Sequence, residues 1–255
     1  MESLLVVGDK FGKFSQDKEN VITFDDFERL AWRDGLRPEC DIWLGQGIEH
    51  DRLFGVLALL DKRHSRKGYR IVNLQQMLDQ ADPSHQATVH KARRENVLIT
   101  RPQQVAEARY ESWLALQDSG ELLGDHMTGQ HVQGMLLIEA ARQMMLSVSE
   151  TYLLGEKTGA RYYFVLNSVN TEYLQFAFPL PTLLSHEILT RQLGKGGSVK
   201  VTCQTSFYQG DTLTARVLIQ YGAYVEDHIS EKEAKLARDA YERHINEHDM
   251  RASAG

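Results

Sequence analysis

The chain has 255 residues, of which 42% are hydrophobic and 25% charged, with a formal net charge of −6. That length allows one large domain or two small ones around a real core, and the acidic balance argues against a broad basic surface for nucleic acid. Cys40 and Cys203 stand far apart, so neither a disulfide framework nor a CxxC metal site is implied. No apolar run approaches the roughly 20 residues that span a bilayer. The opening MESLLVVGDKFGK lacks the basic start and long apolar core of a signal peptide, so the expected location is the cytoplasm.

The first eighty residues read as alternating strand and helix. Leu4–Val7 is a short apolar strand feeding the turn at Gly8-Asp9. Phe24 to Trp32 has helical spacing, with Thr23 placed to cap it, Asp25 and Asp26 in its first turn and Gly35 as a stop. Asp41–Leu44 is a second strand, His50–Leu60 a second helix and Tyr69–Leu74 a third strand. This β-α-β-α-β order predicts a small parallel sheet over residues 1–80. The Gly8–Lys13 turn lacks the spacing of a nucleotide-binding loop and reads as structural, with a phosphate-facing turn as the alternative. The basic run Lys62–Lys67 reads as cations at a helix end.

Residues 81–95 form a connector, and the pattern then changes. Val97–Thr100 and Gln104–Leu116 read as strands, Val132 to Leu154 as one long helix, and 162–166, 174–180, 184–193, 198–208 and 212–225 as further strands. The turns Gly194–Gly197 and Gln209–Asp211 join the last of these as hairpins. The fold class expected is α+β, with a long central helix wrapped by antiparallel sheet over 96–228 and a small α/β domain before it. A charged helical tail is expected over 229–255.

The long helix is apolar on nearly every side, so it is expected to be buried. Glu139, Arg142, Gln143 and Glu150 nevertheless fall on one narrow stripe. A buried carboxylate must be paired or used. Glu139 is either the partner of Arg142 or a general acid or base. His126 and His131 flank the loop before the helix and either shuttle a proton near neutral pH or merely cap the helix. Gly134 permits close approach of a thioester oxygen to the amides of the helix start. No third ligand accompanies the two histidines, so a metal is not expected.

Val89-His90-Lys91, Glu95 to Thr100, Asp125-His126 and Gln130 to Gln143, in this order, resemble the A-factor biosynthesis (AfsA-type) hot-dog family over residues 88–225. The resemblance implies a hot-dog fold and acyl transfer from acyl carrier protein in γ-butyrolactone signal biosynthesis. The helix also resembles that of β-hydroxyacyl-ACP dehydratases, where a loop histidine and a helix glutamate share a site. The two resemblances imply catalytic roles for Glu139, for His126, one residue short of the dehydratase spacing, and for His131, which matches the A-factor pattern; Gly134, Arg142 and Gln143 are the candidate substrate-binding residues. The family pattern carries two hot-dog repeats and a proline where Gln133 stands; this chain carries one repeat, which implies a homodimer. The implied substrate is acyl-ACP or acyl-CoA, carrying its own phosphopantetheine or CoA, with no further cofactor. A dehydratase or thioesterase of the same fold, and a non-catalytic module binding an acyl chain or a partner protein, are the alternatives.

Overall fold

The computed structural model describes residues 2–62, 70–78, 83–124, 128–154 and 161–252. The N-terminal module is a parallel sheet of β1 (Glu2–Val7), β2 (Val21–Thr23), β3 (Cys40–Leu44) and β4 (Arg70–Ile71), in the order β2-β1-β3-β4. Its helices are α1 (Gly12–Ser15), α2 (Phe24–Trp32) and α3 (His50–Asp61), followed by α4 (Leu74–Leu78) and α5 (Pro83–Thr88). The Thr23 hydroxyl caps α2 by accepting from the Asp26 amide at 3.3 Å. The expected third strand is shorter, because Leu74 already begins α4; Tyr69 lies outside the described residues. β2 is an addition to the expected elements, and at three residues it is too short to show a period.

The faces of this sheet differ. Val6, Ile42 and Leu44 pack against Phe24, Phe27, Leu53 and Val56 of α2 and α3. Leu5, Val7 and Val21 point the other way, together with Phe11 and Phe14, into the core of the rest of the chain. That second part consists of β5 (Gln103–Ala106), β6 (Arg109–Trp113), α6 (Glu121–Gly124), α7 (Gly134–Val148), β7 (Tyr162–Tyr173), β8 (Leu183–Leu193), β9 (Val199–Gln209), β10 (Thr212–Val225) and α8 (Glu226–Ala252). Six antiparallel strands run in the order β5-β6-β8-β9-β10-β7. Leu184, Cys203, Phe207, Val217 and Ile219 of the sheet close on Leu137, Ala140, Ala141 and Met144 of α7 in one cluster. This is the expected hot-dog arrangement. Among the described residues, no helix is long and apolar enough to cross a membrane.

Several elements differ from their expected form. Segment 97–100 forms one bridge, Ile99 to Leu114, in place of a strand. The run 104–116 folds back as a hairpin at Ala108, whose φ of 56° is a turn conformation that its side chain does not announce. The 162–166 strand continues to Tyr173 through polar residues, as a sheet-edge strand open to solvent can. Segment 174–180 crosses the start of α7, where the Val132 amide donates to the Ala177 carbonyl at 2.7 Å, and is no strand. α7 begins at Gly134, and its last residues, Ser149–Leu154, form a π-turn.

The two modules meet at the C-terminal edge of the parallel sheet. In open α/β sheets the gap where strand order reverses is the usual ligand crevice. Here Gln46, just after β3, fills it. Its side-chain amide donates to the carbonyls of Leu114 at 3.1 Å and Leu180 at 3.3 Å, and its oxygen accepts from the Leu116 amide at 2.9 Å. Gly8 stands so close to Gly47 that an added Cβ would lie 2.2 Å from the Gly47 carbonyl oxygen. The Gly8–Lys13 turn is thus taken up by docking. Gln46→Ala removes the partner of the buried Leu114 carbonyl and Leu116 amide, while the Leu180 carbonyl keeps the Thr182 hydroxyl at 3.0 Å. It is expected to lower stability by about 3 kcal/mol, read by urea denaturation.

Candidate active site at the start of the buried helix

α7 is rich in Leu, Met and Ala, all strong helix formers. Its N-cap, Gln133, makes no side-chain capping bond. The Leu136 amide returns to the Gln133 carbonyl at 3.1 Å, while Gly134 and Met135, at the start of the helix, line a cavity. That cavity has a volume of about 740 Å³, and its wall includes His131, Gly134, Met135, Leu137, Tyr173 and Phe178. The wall is mostly apolar, and among the described residues His131 is its one imidazole. The His131 ring packs against Phe176 at 4.9 Å, and its Nδ1 lies 3.2 Å from the Thr128 hydroxyl. Gly134 does permit close approach, and here the approaching group is Tyr173. An added Cβ would lie 2.5 Å from the tyrosine oxygen. Burial raises the Tyr173 pKa above its ordinary value.

Glu139 has different surroundings. Arg142 grips it with two hydrogen bonds, Nε to Oε2 at 2.7 Å and Nη2 to Oε1 at 2.9 Å. Lys91 Nζ lies 2.8 Å from Oε1, and the Gln143 amide donates to the same oxygen at 3.1 Å. Burial alone would favour the neutral acid, but the bonds from Arg142, Lys91 and Gln143 outweigh it and hold the pKa down at about 2. Glu139 is therefore an anion at neutral pH. Gln143 is fully buried, accepting from the Leu98 amide and donating to the Asn96 carbonyl, both at 2.8 Å. It staples the preceding segment to α7. Glu150, the last residue of the polar stripe, pairs with His90 at 2.8 Å.

Within one chain, His131 and Glu139 do not share a cavity. Leu136 and Glu139, three residues apart, face a separate cavity of about 220 Å³ beside Lys91, Asn96 and Gln117. Gly134 and Leu137 face the larger one. His126 lies outside the described residues. Arg142 and Gln143 bond Glu139 and line neither cavity. Sequence reasoning assigned no role to Lys91, Tyr173, Phe176 or Phe178. Lys91 carried a signal, since it belongs to the His90-Lys91 pair; the three aromatics carried none. Among the described residues, no group of three or more His, Cys, Asp or Glu side chains is arranged to hold a metal ion.

A sheet wrapped round one buried helix, with a cavity at the helix start, defines a hot-dog protein. Residues 73–223, more than half of the chain, match the A-factor biosynthesis hotdog domain, and the chain belongs to that family. No curated protein sequence matches the chain. Among solved structures, a putative thioesterase from Shewanella oneidensis is similar at 10% identity and a TM-score of 0.38, over 60% of this chain and 96% of that one. A mutant thioesterase from Pseudomonas aeruginosa gives 12% identity and a TM-score of 0.39, over 60% and 93% of the two chains. A conserved protein from Pseudomonas aeruginosa gives 15% and 0.36, over 58% and 97%.

The low pKa of Glu139 sets a pH dependence. Because the folded value lies below the ordinary 4.5, its stabilisation is complete above that pH and is lost as pH falls toward about 2. Glu139→Gln is expected to cost about 2 kcal/mol at neutral pH, after discounting for partial exposure. The gap to the native protein should narrow steadily between pH 4.5 and 2, read by chemical denaturation at each pH.

Proposed function

We propose that the large cavity holds the acyl group of a thioester borne by acyl carrier protein or coenzyme A, and that the protein transfers that group to a hydroxyl. The observation that carries this reading is the cavity of about 740 Å³, apolar in lining and bounded at one end by His131 and the start of α7. The thioester carbonyl is polarised by the first amides of the helix. His131 takes the proton of the attacking hydroxyl as its oxygen bonds to the carbonyl carbon. The C–S bond then breaks, and the departing thiolate takes the proton from His131. With water as acceptor the same steps give a thioesterase. His126 is the second candidate base. No cofactor beyond the substrate's own pantetheine arm is required. Membership of the A-factor biosynthesis hotdog family supports a place in making a signal or secondary metabolite such as a γ-butyrolactone.

Dehydration by a shared histidine–glutamate site is less well supported, because within one chain Glu139 is bonded by Arg142, Lys91 and Gln143 and does not share a cavity with His131. The role of Glu139 in the proposal is to hold Lys91 and Arg142 and so to shape the neighbouring wall. The second reading is a non-catalytic acyl- or partner-binding module. It is favoured by the bonding of Glu139 from three side chains and by its separation from His131.

The acting unit we propose is a homodimer. β7 is an edge strand of 12 residues, paired only with β10 among the described residues. Leu166, Val169, Tyr173 and Leu174 are exposed along it, and Met135 and Phe176 stand exposed beside its end. An open strand of this length with apolar neighbours suits antiparallel pairing with a second copy, which would cover the cavity mouth.

Incubating the purified protein with acyl-ACP and acyl-CoA thioesters, with alcohols present as acceptors, tests the catalytic reading. Turnover is expected, and His131→Ala should lower kcat/KM about 100-fold. Tight binding without turnover, indifferent to His131→Ala, would favour the non-catalytic module. Sedimentation should give a dimer, and Val169→Asp, which places a charge on the exposed apolar edge strand, should shift it toward monomer.

A further inference from the structure

The N-terminal module does more than dock. Its segment Gly8–Ser15 reaches the wall of the acyl cavity. The Phe14 amide donates to the Gly129 carbonyl at 3.0 Å. The Phe14 ring stacks on Phe178 at 5.5 Å, with 27° between the planes, and Phe178 lines the cavity. On the module's own side, Lys18 Nζ stands 4.5 Å from the centre of the Phe14 ring and donates to the Phe14 carbonyl at 2.7 Å. Phe14 is 7% exposed, so the ring is held from both sides.

Gly129 fits against the same segment. It has a φ of +73°, and an added Cβ would lie 3.3 Å from the Lys10 carbonyl oxygen and 3.4 Å from Lys13 Cγ. The turn it belongs to is closed locally by the Thr128 hydroxyl, which accepts from the Gln130 amide at 3.3 Å and meets His131 Nδ1. Upstream, Lys10 holds Asp118 through its amide at 3.0 Å and its ammonium at 2.6 Å. A continuous line of contacts therefore runs from Phe14 through Gly129 to His131, and a second from Phe14 through Phe178 to the cavity.

We infer that the α/β module is a working part of the cavity, and that Phe14 is the positioning residue through which it sets the Thr128–His131 turn and the Phe178 wall. The functional consequence rests on the acyl reading of the cavity; the positioning itself does not. With its ligand crevice filled by Gln46, the module retains the parallel sheet as a rigid base for this segment. Phe14 touches no substrate in this scheme and acts through Gly129 and Phe178.

The test uses the full chain with Phe14→Ala, Phe14→Leu and Gly129→Ala. The last leaves both the aromatic stack and the core in place. Hydrogen exchange over residues 128–133 is followed by mass spectrometry, the chemical shifts of the His131 ring are followed by NMR, and affinity is measured for a dansyl-labelled fatty acid. Phe14→Ala is expected to speed exchange in 128–133 about tenfold while the amides of 144–148 stay protected. It should shift the His131 ring signals and weaken the dansyl probe about three- to tenfold, a range suited to one lost aromatic contact. Phe14→Leu should give a smaller effect, and Gly129→Ala should reproduce the local exchange. Unchanged exchange in 128–133 for both Phe14→Ala and Gly129→Ala overturns the inference, as does a rise spread evenly over the chain in all three variants. Should the native protein fail to bind the dansyl probe, the acyl reading falls, while exchange and the His131 ring signals still decide the positioning.

Discussion

Burying a helix that carries a carboxylate in its second turn demands compensation for that charge, and the rest of the site is arranged around how this is met. Lys91 comes from the segment before β5, while Arg142 and Gln143 come from later turns of α7 itself. Gln143 then bonds the backbone on both sides of Val97, so the cluster that neutralises Glu139 also fixes residues 91–98 against the helix. Breaking one partner of such a cluster leaves a buried charge uncompensated, which costs more than the pair contributes. The carboxylate that sequence reasoning offered as the partner of Arg142 or as an acid or base is held by Arg142, Lys91 and Gln143.

A second constraint is the joint between the modules. A small parallel sheet with helices on one face must cover its other face, and the hot-dog core supplies that cover through Leu5, Val7, Phe11 and Phe14. The edge of the sheet where a ligand would ordinarily sit is closed by Gln46 and by the close contact of Gly8 with Gly47. The turn after β1 thereby comes to lie beside the larger cavity, where Phe14 stacks on Phe178.

Much of the fold was legible in the sequence wherever one element carried its own signal. α2 had its capping Thr23 and its Gly35 stop, whose amide indeed returns to the Leu30 carbonyl at 2.8 Å. α7 showed its burial by apolar residues on all sides, and the last three strands showed their hairpin turns. The Glu139–Arg142 pair followed from helical spacing alone. What escaped depended on partners distant in the chain. β2 is three residues long, and the β5–β6 turn uses an alanine at positive φ, which sequence preference does not favour. Segment 174–180 resembles a strand in composition, yet its job is to cross the start of α7 and wall the cavity. Tyr173 reaches Gly134 only because β7 ends there, and Lys91 reaches Glu139 only once the chain has folded back on α7. Within one chain the helix turns Leu136 and Glu139 to one cavity and Gly134 and Leu137 to the other, a division that follows from its pitch.

The assignment of the larger cavity to an acyl chain bears most directly on Met135, which lines it and is 63% exposed. Protein labelled with carbon-13 at its methionine methyl groups can be titrated with a fatty acyl-pantetheine thioether, which cannot be cleaved. The expected result is a saturable shift of the Met135 methyl signal, assigned by Met135→Leu, together with contacts from that methyl to the acyl chain. A ligand that binds while leaving Met135 unmoved, or that binds nowhere on the protein, would contradict the assignment.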